Sequence, residues 1–183
     1  KAHQSQIVTI DKTYQLLAAS TLEAVVNALE KAKHVYLFGV GGSAVICDDF
    51  RHKLIRIGKY ACFYPDVHLQ MTSVPNMTEE DFAFFVSYSG ETKELVTAAK
   101  WAKNMHIPSA AITQSPYNKL GKLVDYVLPI PSQEQALRIG AMSSRYSSLI
   151  IIDLLYYGLV KRNKEAYSEK IINTRRIIQE IEK

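Results

Sequence analysis

Short apolar segments alternate with amphipathic helical segments along most of this chain, and few residues join one to the next. Segments of this length with no polar face, such as 35–38 and 82–86, are typical of strands that are covered on both sides. Helices between such strands predict βαβ units and a parallel sheet. We therefore predict an α/β fold: a three-layer, doubly wound sheet of five parallel strands in the flavodoxin-like order 2-1-3-4-5, with helices on both faces. The strands are predicted at 35–38, 60–64, 82–86, 109–112 and 126–130.

The helical segments predict one domain over residues 1–183. A lead-in helix is expected at 5–18, within a linker over 1–20, and Ser20 or Thr21 is expected to cap the helix that follows. Residues 163–183 are expected to hold the C-terminal helix. The segment 149–155 is apolar nearly all round, which predicts burial on most sides, either centrally or against a second copy in a homodimer.

Composition excludes several classes of function. With 183 residues and 48% apolar residues, the chain can bury a core, and it has no apolar run long enough to span a membrane. Cys47 and Cys62 have neither a metal-ligand spacing nor a disulfide-rich context, so we expect no metal and a reducing cytoplasm. Seven basic and four acidic residues in 161–183 carry +3 of the net charge of +4, so the rest is nearly neutral. That is a poor footprint for direct nucleic-acid binding.

The first candidate loop, Gly39–Ser43, lies between a predicted strand and a predicted helix. Glycine permits close approach to a ligand, and the helix N-terminus offers N–H groups to an anion, so Gly41, Gly42 and Ser43 are candidate binding residues. No acidic residue ends the second strand to hold a ribose, and the lysine of a P-loop is absent, so nucleotide fingerprints do not fit. By itself such a loop is often only a tight turn.

The second candidate loop, Ser87–Thr92, follows the third strand and has three hydroxyls around Gly90. Hydroxyl and N–H groups can donate to phosphate oxygens without a bulky cation. The alternative is that Ser89 or Thr92 merely caps the next helix, which would explain one hydroxyl rather than three. In the predicted strand order both loops leave the sheet where its winding reverses, which is where ligands bind in such folds. We therefore predict a phosphate site formed by Ser87, Ser89, Gly90 and Thr92 with the first loop.

The motifs GVGGSA, FFVSYSGETKE, AAITQSP and VDYVLPIPS together resemble the SIS (sugar isomerase) domain over residues 20–160. FRHKLIRIGKYACFYPDVHLQ and RIGAMSSRYSSLIIIDLLYYGLV are similar, more narrowly, to the effector domain of RpiR-type bacterial transcription regulators. The resemblance implies a sugar-phosphate ligand, with Ser43 contacting it and Ser87, Ser89 and Thr92 holding its phosphate. It also implies a dimer and no cofactor. Because the chain begins at Lys1 rather than at Met, we expect that a domain precedes it. The resemblance implies that this is an N-terminal helix-turn-helix domain, and that the protein contacts DNA only through it.

The resemblance also bears on catalysis, because sugar isomerisation needs a positioned base, typically Glu. In amidotransferase-type sugar-phosphate synthases a segment like EIGVASTK supplies it, and the matching segment here is RIGAMSSR, with Arg138 at the place of the Glu. A guanidinium cannot act as that base, although it can pair with a phosphate or carboxylate. Glu134, one turn earlier, could reach the same pocket or be an ordinary loop carboxylate.

Glu134 and Arg138 are accordingly predicted as ligand contacts, and no residue is predicted to be catalytic. The favoured reading is a phosphosugar sensor of a transcription regulator. Two alternatives stay open: a phosphosugar isomerase or lyase, and a dimerisation module with a vestigial site.

Overall fold

The computed structural model of the protein describes residues 2–132 and 142–181. All five of its strands are parallel, and they lie in the order β2-β1-β3-β4-β5, which confirms the predicted doubly wound sheet. The elements are, in chain order, α1 (Ala2–Leu16), α2 (Ala19–Lys31), β1 (His34–Gly39), α3 (Gly42–Arg56), β2 (Tyr60–Cys62), α4 (Val67–Ser73), a 3-10 turn (Val74–Asn76), β3 (Phe82–Val86), α5 (Lys93–Asn104), β4 (Ser109–Thr113), β5 (Tyr126–Pro129), α6 (Met142–Arg162) and α7 (Lys164–Ile181).

The sheet separates two apolar clusters, so the domain has three layers as predicted. Phe82 and Phe84 of β3 face the cluster formed with α2, α3 and α6, whereas Ala83 and Phe85 face the cluster formed with α5 and the 3-10 turn. All four side chains are fully buried. Because consecutive strand residues point to opposite faces, a strand covered on both sides must be apolar at every position. This explains why β3 shows no alternation in the sequence.

Helix α6 packs across one face of the sheet against α1, α2 and α3. Within the segment 149–155, Ile151, Ile152 and Leu155 are fully buried and three more residues are half-buried, so the segment is buried on most sides as predicted. The opposite side of the helix is open: the Asp153 side chain is 61% exposed and its carboxylate lies 3.2 Å from the Lys53 ammonium of α3. The helix is therefore central in its layer and still has one exposed face.

Helix starts show where local sequence signals hold and where they do not. The prediction that Ser20 or Thr21 caps α2 is wrong, because the helix begins at Ala19 and its N-cap, Ala18, makes no side-chain cap. Only two residues separate α1 from α2, and Leu17 packs into the core, so the tight connection sets the start. At α4, by contrast, the Asp66 carboxylate accepts a hydrogen bond from the Leu69 amide at 3.0 Å.

None of the helices in the described parts of the chain is both long and apolar enough to cross a bilayer.

Candidate functional site

The two predicted loops lie side by side at the carboxyl edge of the sheet. Gly39 at the end of β1 pairs in register with Val86 at the end of β3, so both chains leave the sheet at the same level. Between them is a cavity of about 260 Å³. Because β1 and β3 are the strands between which the winding reverses, the cavity lies at the switch point where ligands bind in such sheets.

The cavity wall suits an anion. Six serine and threonine hydroxyls line it, and the one cation among its described wall residues is Arg145 of α6. The described part of the wall contains no Asp or Glu. The lining residues are Val40, Gly42, Ser43, Val45, Ile46, Val86, Ser87, Tyr88, Ser89, Thr92, Ile130, Ser144, Arg145 and Ser148.

The first loop turns sharply into the N-terminus of α3. Gly41 is the N-cap residue and has φ +60°, a conformation that favours glycine. A Cβ on Gly39 would lie 2.7 Å from Cys47 Sγ and 2.9 Å from the main-chain oxygen of Ser43, so this loop also folds tightly back on its own helix. Since Gly41 has no side chain, no N-cap side chain occupies the first-turn N–H groups beside the cavity.

The hydroxyls of the second loop make hydrogen bonds within the loop itself. Ser87 is 4% exposed, and its Oγ accepts a hydrogen bond from the Gly90 amide at 3.1 Å and lies 3.2 Å from Thr92 Oγ1. The Ser89 hydroxyl accepts from the Glu91 amide at 3.2 Å. A hydroxyl that accepts one such bond still has its own proton to donate, to a neighbouring hydroxyl or to a bound anion.

The capping alternative for this loop fails on geometry. Thr92 occupies the N-cap position of α5, which begins at Lys93, but its side chain makes no capping hydrogen bond. The amide bound by Ser89 belongs to Glu91, ahead of the helix. The hydroxyls are therefore not there to cap α5.

The segment after β4 makes main-chain hydrogen bonds to the second loop. The amides of Gln114 and Leu120 donate to the carbonyls of Tyr88 and Gly90 at 3.1 and 3.0 Å. On the outside, the Glu91 carboxylate pairs with the Lys119 ammonium at 2.8 Å, and hydrogen bonds from the Lys119 side chain and main chain lower the pKa of Glu91.

Asn118 is a supporting residue that the sequence did not reveal. Its amide donates to Thr113 Oγ1 at 2.7 Å and accepts from the Gly121 amide at 2.8 Å. Gly90 has φ +67°, and any side chain there would collide with the Asn118 amide.

Of the nine residues predicted to bind ligand, seven are described, and they meet at one place. Five of them, Gly42, Ser43, Ser87, Ser89 and Thr92, line the cavity, while Gly41 and Gly90 supply the positive φ that shapes the loops. Glu134 and Arg138 lie outside the described residues. That these residues contact a ligand stays a prediction.

Helix α6 adds wall residues that the sequence did not assign to the site. Ser144 and Ser148, four residues apart, lie on one helix face, with Arg145 beside them. Their i, i+4 spacing was a signal, but only the tertiary packing shows that this turn covers the carboxyl edge of the sheet.

The chain is therefore an α/β domain whose parallel sheet has this strand order and a hydroxyl-lined cavity at its switch point. Residues 28–157 match the family model described as SIS domain, and the chain belongs to that family. This confirms the resemblance found in the motifs.

A curated relative, an uncharacterized HTH-type transcriptional regulator of Caldanaerobacter subterraneus, is 34% identical over 169 residues, which are 92% of this chain and 60% of the relative. The chain thus spans about three fifths of that regulator's length.

Among solved structures, the Vibrio vulnificus NanR protein complexed with ManNAc-6P matches with a TM-score of 0.91 and 29% identity, over 98% of this chain and 67% of that one. The sugar isomerase domain of an RpiR transcription factor from Sphaerobacter thermophilus matches with a TM-score of 0.85 and 22% identity, over 95% and 96% of the chains. A phosphoheptose isomerase from Francisella tularensis shares the fold at 18% identity, with a TM-score of 0.75 over 87% and 95%. The last two likenesses show the fold alone.

Proposed function

We propose that this chain is the effector domain of a bacterial transcriptional regulator, that it binds a sugar phosphate, and that a separate N-terminal helix-turn-helix domain contacts DNA. The observation that carries the proposal is the cavity between the two loops, with its hydroxyl-rich wall and the N-terminus of α3. The curated relative is named as an HTH-type regulator, and NanR holds ManNAc-6P on the same fold. A regulator of this kind acts in the cytoplasm.

The second loop is proposed to hold the phosphate. Ser87, Ser89 and Thr92 offer hydroxyl donors, and hydrogen bonds to an ionised phosphate are about twice as strong as those between neutral groups. Ser43 lies in the first turn of α3, where the positive end of the helix dipole favours a bound anion. Arg145 on the opposite wall supplies the full positive charge that the loops lack.

Binding rather than turnover is proposed because of what the described wall contains. Moving a proton between two sugar carbons needs a base near the substrate, and none of the described lining residues is Asp, Glu, His or Lys. The alternative, a sugar-phosphate isomerase or lyase, would use Glu134 as its base.

A panel of hexose, hexosamine and pentose phosphates, ManNAc-6P among them, separates these functions. Thermal unfolding should shift upward by several degrees with at least one member, since a ligand at 100 times its Kd stabilises a protein by about 2.7 kcal/mol. If no member shifts the transition, the site is vestigial and the proposal fails.

The same panel, incubated and followed by NMR of the sugars, should show no interconversion. Turnover that Glu134→Gln abolishes would establish the enzyme instead. Arg56→Gln, on the last turn of α3 and outside the cavity wall, is a matched control that should leave thermal shifts and sugars unchanged.

Contacts between α6 and α1 suggest how binding is relayed towards the N-terminus. Ser144, Arg145 and Ser148 line the cavity, and between them Ser147 bonds Thr13 of α1 at 2.7 Å with both residues fully buried. Thr13 Oγ1 also donates to the Thr9 carbonyl, so the Ser147 hydroxyl must be the donor to Thr13. A ligand that moves this turn of α6 therefore acts directly on α1. Hydrogen exchange in α1 should change on addition of the bound phosphosugar, and unchanged exchange would contradict the relay.

We also propose that two copies of the chain associate through the α6 layer, where Tyr157 is 66% exposed. Sedimentation should show a dimer at micromolar concentration, and a clean monomer would contradict this.

A further inference from the structure

One buried side-chain amide fastens the strand from which the first loop emerges. The Gln70 side chain lies on α4, and the residue is 1% exposed. Its Oε1 accepts a hydrogen bond from the Gly39 amide at 3.1 Å, and its Nε2 donates to the Gly39 carbonyl at 2.9 Å and to the Tyr64 carbonyl at 2.7 Å. Three main-chain groups therefore depend on one side chain.

The position of these bonds explains why they are needed. β2 pairs with β1 only as far as Tyr36 and Cys62, after which the chain leaves the sheet towards α4. Gly39, three residues further along β1, therefore has no strand beside it on that edge. The Gln70 amide takes the place of a peptide group of β2 and bridges the gap to Tyr64, so the buried polar groups at the end of β1 are satisfied.

The bonds also fix the orientation of the amide. If the amide were turned over, its NH₂ group would face the Gly39 N–H group and its oxygen would face two carbonyls. Only the observed orientation pairs every donor with an acceptor. A residue at position 70 must therefore accept at one atom and donate at the other, which a carboxylate or an apolar side chain cannot do.

We propose that Gln70 is a positioning residue for ligand binding, which holds the end of β1 so that Val40–Ser43 stays in its binding conformation. The inference rests on the proposed function for the identity of the ligand, but the loop geometry is independent of it. Gly39 is joined directly to Val40, a cavity-lining residue, so greater conformational freedom at the end of β1 would also displace the cavity wall. If the binding-competent loop is populated only in part, the apparent Kd rises by the inverse of that fraction.

Two substitutions at this position and one control test the proposal. Gln70→Met keeps the length of the side chain but removes all three hydrogen bonds. Gln70→Glu keeps the acceptor for the Gly39 amide and loses the donor unless the carboxyl is protonated. The control, Ser109→Ala, removes a different buried polar group, a hydroxyl that donates to the Asp125 carboxylate at 3.2 Å at the opposite end of the sheet.

The first measurement is amide hydrogen exchange by NMR in the ligand-free protein. Gly39 should exchange at least about tenfold faster in Gln70→Met than in the wild type, because its N–H group loses its acceptor, and it should be unchanged in Ser109→Ala. Unchanged exchange at Gly39 in Gln70→Met would overturn the positioning role whether or not any sugar phosphate binds.

The second measurement is calorimetric titration with ManNAc-6P and with inorganic phosphate. Gln70→Met should raise the Kd of whichever probe binds the wild type by at least about tenfold, and Ser109→Ala should not. Wild-type affinity in Gln70→Met would overturn the inference and leave the proposed function standing. Binding of neither these probes nor any panel sugar to the wild type would overturn the proposed function, while the exchange experiment still decides the role of Gln70.

A pH series separates positioning from a general loss of stability. Protonation restores a donor to Gln70→Glu, so its Kd relative to the wild type should fall as the pH is lowered, whereas the ratio for Gln70→Met should stay constant. The other titratable groups of this connection, Tyr64, Asp66 and His68, and the ligand phosphate are common to every protein compared, so the ratio to the wild type isolates the substituted residue. A ratio for Gln70→Glu that does not change with pH would contradict the role assigned to its donor. If Gln70→Met does not fold, the Gln70→Glu series alone decides.

Discussion

Replacing Gly42 by alanine should stabilise the ligand-free domain and weaken its ligand binding. Gly42 is the first residue of α3, its φ is not positive, and a Cβ built on it meets no protein atom within 4 Å. Nothing in the ligand-free fold therefore requires glycine there. The residue does line the cavity, so the added methyl group would occupy space at the wall where a ligand approaches the main chain.

Gly42→Ala should change stability and affinity by measurable amounts. Glycine to alanine at a compatible position stabilises by about 0.4–1 kcal/mol, chiefly through the unfolded state, and we expect the lower end because Gly42 is at the edge of the helix. For a domain of this size that corresponds to a rise in Tm of about 1–2 °C. A methyl group between the loop and a bound phosphate should raise Kd about tenfold, equivalent to about 1.4 kcal/mol.

Urea unfolding of the ligand-free protein and calorimetric titration with the phosphosugar would measure the two effects separately. Gly41→Ala is the matched control, since it also has open space around its Cβ but has φ +60°, and it should destabilise by about 1–3 kcal/mol. If Gly42→Ala left affinity unchanged, the first loop would not approach the ligand through its main chain. If Gly42→Ala destabilised the fold as much as Gly41→Ala, the reasoning from backbone conformation would be wrong.

Three further predictions concern the surroundings of the site and the packing of the helices. Gly90→Ala should lower the free energy of unfolding by about 2–4 kcal/mol in urea titrations. The alanine would have to adopt φ +67°, and its methyl group would collide with the Asn118 amide, which two hydrogen bonds hold in place. A loss under about 0.5 kcal/mol would refute the steric argument. Lys53→Met should cost less than about 1 kcal/mol at neutral pH. Although burial lowers the pKa of Lys53, hydrogen bonds to Asp49 and Asp153 raise it overall. The stability that this ammonium contributes is therefore present below its unfolded pKa of about 10.4 and is lost as the pH rises through the higher folded value. A stability difference between Lys53→Met and the wild type that persisted above that pH range would contradict this role of the charge. Burial raises the pKa of the Cys47 thiol, so iodoacetamide should modify only Cys62 in the native protein and should modify both cysteines after unfolding. Mass spectrometry of the digested protein measures the labelling. Early labelling of Cys47 would show that α3 opens readily.

The strand order and the meeting of the two loops could be predicted because they rest on local signals and a general rule. Residues 35–38 and 82–86, which lie in β1 and β3, are apolar throughout and are followed by Gly39 and Ser87, which locates two strand ends. The winding rule of parallel sheets then places those ends together. The first step uses local features and the second a general rule, and the structure confirmed the strand order and the meeting of the two strand ends.

The supports of the site could not be predicted, because they depend on contacts between residues far apart in the chain. Gln70 bonds Gly39, 31 residues away, and on the sequence it is an unremarkable polar residue of a short helix. Asn118 likewise acts on Gly90 only through the fold. The cap predicted at Ser20 or Thr21 failed for a related reason, since the short connection from α1 overrides the local preference.

The two loops are proposed to hold the phosphate of a sugar phosphate. The most direct test is a pair of calorimetric titrations, one with the panel sugar phosphate that gives the largest thermal shift and one with the same sugar without its phosphate, each on the wild type and on the Ser87→Ala/Ser89→Ala variant. We expect saturable binding of the phosphorylated sugar alone, and a rise in Kd of at least about a hundredfold in the variant. The variant loses two hydrogen bonds to a charged group, and each such bond contributes about 1.5–3 kcal/mol. Equal binding of both sugars, or wild-type affinity in the variant, would contradict the claim.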